Sequence, residues 1–132
     1  MKTLIVEDDF TSRVVLQGVL SKYGDCHIAV NGTEAVEAFR SACKDGSGYD
    51  LICMDIMMPE MNGHEALNAI RTIEEQAAIV HADEWVKVIM TTGLDNIQSV
   101  MLSFEGLCDA YLVKPVNVSK LLAHLKSFGL VQ

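Results

Sequence analysis

Residues 51–54, Leu-Ile-Cys-Met, form an apolar run without alternation that ends in the carboxylate of Asp55. A strand with one wet face would alternate polar and apolar side chains, so this run expects cover on both faces. Pro59 cannot donate to a strand ladder and biases Met58 away from the helical region, so the strand has ended by there. Asn62, ahead of Gly63, then stands where a helix cap is expected. Asp55 is thereby placed at the carboxyl end of a buried strand, facing a loop. An unpaired carboxylate is costly to bury, and open α/β sheets bind ligands at this end of their strands. Taken alone, an aspartate there most often just ends a strand into solvent. What lies at the neighbouring strand ends decides between the two readings.

The same rhythm runs through the chain. Residues 3–6 form a short apolar strand that ends in Glu7-Asp8-Asp9. A helix follows to about Tyr23, with Leu16, Val19, Leu20 and Tyr23 on one face and Gly24 as its stop. Residues 26–30 form a second strand, Asn31-Gly32 a turn, and Thr33 the expected cap of a helix burying Ala35, Val36, Phe39, Ala42 and Cys43. After the strand at 51–54, a helix from about Gly63 buries Ala66, Leu67, Ile70 and Ile73. Residues 79–85 read either as its continuation or as a loop, and His81, Asp83 and Glu84 there lack metal-ligand spacing. Residues 86–91 are a fourth strand, followed by a loop and a helix to about Glu105. Residues 110–113 are a fifth strand, leading through Lys114-Pro115 to a last helix with Val118, Leu121, Leu122, Leu125 and Phe128 inward. Five strands alternating with five helices make a doubly wound α/β parallel sheet.

The 132 residues fit one domain, half of them hydrophobic, with a formal charge of −8. Nucleic acid and anionic membrane both require basic surface, so neither is an expected partner. Cys26, Cys43, Cys53 and Cys108 have no paired spacing, and no apolar run reaches signal-peptide or membrane-span length. A cytoplasmic protein with reduced thiols and no output domain is the expectation.

At the carboxyl ends of the strands lie Glu7, Asp8 and Asp9, then Asp55, Thr92 and Lys114. So many carboxylates repel one another, and a hard divalent cation relieves that. All-oxygen ligands with room for phosphate oxygens suit Mg²⁺. A lysine, a hydroxyl and Mg²⁺ around one carboxylate would stabilise a transferring phosphoryl group, with the aspartate as nucleophile.

These residues resemble the receiver domains of response regulators, of the stand-alone chemotaxis-regulator kind, over essentially the whole chain. The resemblance rests on Val6-Glu7-Asp8-Asp9, on residues 55–63, on Met90-Thr91-Thr92-Gly93 and on Tyr111-Leu112-Val113-Lys114-Pro115. It implies a flavodoxin-like sheet with strand order 2-1-3-4-5. It implies Asp55 as phosphoacceptor, Asp8 as direct Mg²⁺ ligand, Glu7 as a ligand through water, and the Met57 backbone carbonyl on the metal. Thr92 matches the switch hydroxyl, Tyr111 the aromatic that turns inward with it, Lys114 the phosphate-pairing lysine, and Pro115 the proline of a cis peptide. Asp9, one place beyond the usual acidic pair, ranks third as a metal-site acid. Gly93 replaces the commoner alanine, which leaves room for phosphate but loosens the loop. Gly106 stands one place early, which shifts the register of the fourth helix.

The function so implied is a phosphorelay switch. A sensor histidine kinase or phosphotransfer protein donates to Asp55, and the domain catalyses its own acceptance and hydrolysis of the group without being an enzyme of the usual kind. Signal output passes through the face of the fourth helix, fifth strand and last helix, to a downstream protein or a second copy of the chain. Met57 and Leu94, two places after Asp55 and Thr92, cannot orient an attacking water, so self-dephosphorylation is expected to be slow. A flavin-nucleotide carrier is excluded by the acids after strand one, which repel phosphate. A phosphatase is disfavoured by Met57 where a second acid is needed. A phosphorylation-independent binding module is disfavoured by the full set of acids, hydroxyl and lysine.

Overall fold

The computed structural model describes residues 1–58, 61–77, 85–93 and 107–132. Its strands are β1 (Thr3–Val6), β2 (Cys26–Ala29), β3 (Leu51–Asp55), β4 (Lys87–Thr92) and β5 (Ala110–Val113). They form one parallel sheet in the order β2-β1-β3-β4-β5. Among the described residues the helices are α1 (Phe10–Leu20), α2 (Gly32–Asp45), α3 (Gly63–Gln76) and a C-terminal helix (Val118–Ser127), with a 3₁₀ turn at Ser21–Tyr23. The expected strand order is the one found. The reading of residues 79–85, the fourth helix, Pro59, Leu94 and Gly106 fall wholly or mainly outside the described residues.

Two cores explain why the central strands carry no polar alternation. Leu4, Val6, Ile52, Met54, Val88 and Met90 pack with α2 and α3 on one face. Ile5, Leu51, Cys53, Ile89 and Leu112 pack with α1 and the C-terminal helix on the other. Successive side chains point to opposite faces, so a strand covered twice is apolar throughout. Leu16 and Leu20 of α1, and Leu121 and Leu125 of the last helix, are buried as their spacing predicts. Tyr23 and Val118 are not: both are more than a third exposed. The chain leaves helical geometry for the 3₁₀ turn before Tyr23, and Val118 opens its helix directly after the cap, before the apolar stripe begins.

Every described α-helix starts on an Asp or Asn whose side chain accepts a backbone N–H of the first turn, namely Asp9, Asn31, Asn62 and Asn117. For α2 this corrects the expected cap at Thr33. Asn31 accepts from Glu34 at 2.8 Å, and the Glu34 carboxylate reaches back to the Val30 N–H at 3.1 Å. Gly63 is required by space: a Cβ there would lie 2.7 Å from the Asp55 carbonyl oxygen and 2.9 Å from Ile56 Cα. The start of α3 therefore sits directly against the end of β3.

At the amino ends of β4 and β5, Arg71 of α3 forms a buried polar knot. Its guanidinium donates to Glu74 at 2.7 Å, to the carbonyls of Val86 and Leu107 at 2.9 Å each, and to Asp109 at 3.3 Å. Glu74 also accepts from the Val86 N–H at 2.7 Å, and Asp109 from the Val88 N–H at 2.8 Å. Burial pushes the Glu74 carboxyl above its usual value, with Arg71 opposing it. Replacing Arg71 by Met strands this acid, at an expected cost of about 3–5 kcal/mol near neutral pH. The cost should shrink toward acid pH, where Glu74 takes up a proton. Urea unfolding at two pH values checks this; a pH-independent loss below about 1 kcal/mol would contradict it.

Candidate functional site

Parallel register brings the carboxyl ends of the strands level. Val6 pairs with Met54, Asp55 with Thr91, and Thr92 with Val113. Glu7 thus follows β1 beside Asp55, the last residue of β3, and Lys114 follows β5. The Lys114 ammonium lies 3.1 and 3.0 Å from the two oxygens of Glu7 and 3.2 Å from Asp55 Oδ2. Only the Glu7 Oε1 contact has hydrogen-bond geometry, so Glu7 Oε2 is left without a hydrogen bond although it is fully buried. Glu7 Oε1 also accepts the Asp9 N–H at 3.1 Å, and Arg13 Nη1 donates to the Glu7 carbonyl at 3.3 Å. Asp55 is 5% exposed, and its Oδ1 accepts the Met57 N–H at 3.2 Å.

Asp8 completes the cluster from the solvent side. Glu7, Asp8 and Asp55 each bring a carboxylate oxygen within 4.8 Å of the others. Three acids thus face one ammonium. The donor set is all oxygen, one member is open to solvent, and one buried oxygen lacks a hydrogen bond. A hard divalent cation fits such a set, and Mg²⁺, which keeps some of its waters, fits it well. Asp9 is engaged elsewhere. Its carboxylate accepts the Ser12 N–H at 2.9 Å as the cap of α1, and this bond holds its carboxyl below the usual range. It is not in the three-acid cluster.

The other expected site residues take these places. Thr92 is buried, and among the described residues its hydroxyl makes one long contact, 3.4 Å, to the Gly93 carbonyl. Tyr111 is half-buried against the α2–α3 core. A Cβ on Gly93 would meet nothing within 4 Å among the described residues. The Lys114–Pro115 peptide is cis. The Met57 side chain is 66% exposed. Two residues are missed by reading the sequence alone. Arg13 acts on a backbone carbonyl, which no spacing reveals. Thr91 sits on the Asp55 side of β4, and strict alternation from Ile89 could have found it.

Burial pushes the Glu7 carboxyl up to about 7, with Lys114 opposing and the Asp55 charge adding. Burial also works against the Lys114 ammonium, but its contacts with Glu7 and Asp55 outweigh this and raise its pKa. In the unfolded chain Glu7 titrates near 4.5. Between the two values the folded protein binds the extra proton, so this contribution to stability is full at low pH and lost as pH rises through about 7. The melting temperature of the metal-free protein should therefore fall more steeply from about pH 5 to about pH 7 in wild type than in Glu7→Gln. Parallel profiles would contradict this.

Among the described residues no helix is long and apolar enough to cross a membrane. A sequence profile of the response regulator receiver domain matches residues 3–126. The chain is 34% identical over 131 residues to two-component response regulator 24 of Arabidopsis thaliana, across 95% of this chain and 81% of that one. It is 31% identical over 142 residues to a probable histidine kinase 5 of Oryza sativa subsp. japonica, across 95% of this chain but only 11% of that longer protein. Its structure is similar to the receiver domain of Saccharomyces cerevisiae Ssk1, solved with the histidine phosphotransfer protein Ypd1. The TM-score is 0.76 at 29% identity, covering 98% of this chain and 88% of that one. Fold, strand-end chemistry and sequence agree, and the chain belongs to the response regulator receiver domain family of two-component signalling.

Proposed function

We propose that this receiver accepts a phosphoryl group on Asp55 with Mg²⁺ held by Asp8, Asp55, the Met57 carbonyl and, through water, Glu7. The observation that carries this reading is Asp55 itself, a nearly buried carboxylate paired with Lys114 beside two further acids. Bound there, a divalent cation supplies the charge that three carboxylates and an incoming phosphate need. One Asp55 oxygen bonds to phosphorus while the donor's phosphorus–nitrogen bond breaks and the imidazole leaves with that electron pair. Lys114 pairs with the phosphoryl oxygens, and the Thr92 hydroxyl, weakly engaged at rest, turns to donate to them.

The donor is a histidine kinase or phosphotransfer protein. Phe10 and Val14 of α1 and Met57 beside Asp55 are exposed apolar side chains on an acidic protein, and they offer it a contact. When Thr92 turns, Tyr111 moves inward and alters the face that β5 and the C-terminal helix share with the expected fourth helix. A downstream protein, or a second copy of this chain, reads that face. Hydrolysis is slow, since Met57 brings no group able to orient water.

Intact-mass measurement after incubation with Mg²⁺ and a small acyl phosphate tests the reading. Wild type should gain one phosphoryl group, and Asp55→Asn or chelated wild type should not. No gain in wild type would overturn it. Once formed, the modification should outlast minutes; loss within seconds without a phosphatase would contradict the slow hydrolysis.

A further inference from the structure

β4 carries a second threonine at the site. Thr91 pairs with Asp55 on one side and Leu112 on the other. Paired residues of parallel strands point to the same face, so the Thr91 side chain stands on the Asp55 side of the sheet. It is 1% exposed, and among the described residues its Oγ1 has no hydrogen-bond partner. A buried hydroxyl left unmade is a net cost that an apolar side chain of the same shape would avoid.

Topology adds a second observation. Lys114 follows β5, and β4 separates β5 from β3. To reach Asp55 at 3.2 Å and Glu7 beyond it, the lysine has to cross the end of β4 on this same face. The free hydroxyl of Thr91 is therefore next to Asp55 and beneath the path of the lysine. At rest the Asp55 oxygens are served by Lys114 and the Met57 N–H. When a phosphoryl group draws the lysine away, the Asp55 carboxyl loses a donor.

We infer that Thr91 is a positioning residue for phosphoryl transfer, its hydroxyl donating to the Asp55 carboxyl as Lys114 moves onto the phosphoryl oxygens. The inference rests on Asp55 being the phosphoacceptor. Thr92, on the other side of the same strand, serves the phosphoryl group, and Thr91 serves the carboxyl that carries it.

The test compares the rate of mass gain from a small acyl phosphate with Mg²⁺ in wild type, Thr91→Val, Thr91→Ser and Thr3→Val. Thr3 is the control: its hydroxyl is also buried and unpartnered, but it opens β1 at the far end of the sheet. Thr91→Val should accept the group about threefold to tenfold more slowly, the span that one hydrogen bond gives. Thr91→Ser should stay within about twofold of wild type, and Thr3→Val should match it. A resting melting temperature for Thr91→Val no lower than that of wild type would show that the slowing comes from a lost donor and not from a damaged fold. Thr91→Val reacting at the wild-type rate, or Thr91→Ser as slow as Thr91→Val, would overturn the inference. Failure of wild type to react would instead overturn the phosphoacceptor reading itself.

Discussion

One ammonium, on Lys114, is shared by Glu7 and Asp55 in a pocket where both acids are almost closed to water. Asp8 adds a third carboxylate from the solvent side. Coulomb repulsion among acids this close is strong in a poorly solvated site, and a single lysine cannot satisfy them all. The pocket answers in part by raising the Glu7 carboxyl to about 7, so that a proton stands in for missing positive charge. The resting site is thus short of positive charge, and a divalent metal fits that shortage. The unsatisfied Glu7 Oε2 and the unpartnered Thr91 hydroxyl belong to the same picture: groups without a full complement in the resting state, gathered around Asp55.

The fold exists to hold that tension. Strands covered on both faces fix β1, β3, β4 and β5 in register, so that four chain segments reach one point. Gly63 lets α3 start against Asp55, and Asp9 is taken up in starting α1, which leaves Glu7 and Asp8 to face the pocket. At the opposite end, Arg71 ties α3 to the segments that lead into β4 and β5. At that end the charges are paired, Arg71 with Glu74 and Asp109; at the carboxyl end three acids face one lysine.

Much of this was legible in the chain. Non-alternating apolar runs announced doubly covered strands, and the acids, Thr92 and Lys114 could be collected at strand ends before any contact was known. What stayed hidden was competition between local and distant partners. Asp9 looks like a third site acid because its spacing does not reveal that the Ser12 N–H claims it. Thr33 looks like a cap because threonine caps helices, yet Asn31 begins α2 earlier. No spacing in the sequence joins Arg71, Glu74 and Asp109; only tertiary packing buries Arg71 and Glu74 and brings Asp109 to them. Thr91 reads as strand filler until the pairing with Asp55 is known.

The most direct measurement is the melting temperature of the protein at neutral pH with and without saturating Mg²⁺, in wild type and in Asp8→Asn. A cation that binds the folded site and not the unfolded chain must raise it. A clear rise is expected in wild type, and little or none in Asp8→Asn. An unchanged melting temperature in wild type would contradict a pocket built around missing positive charge.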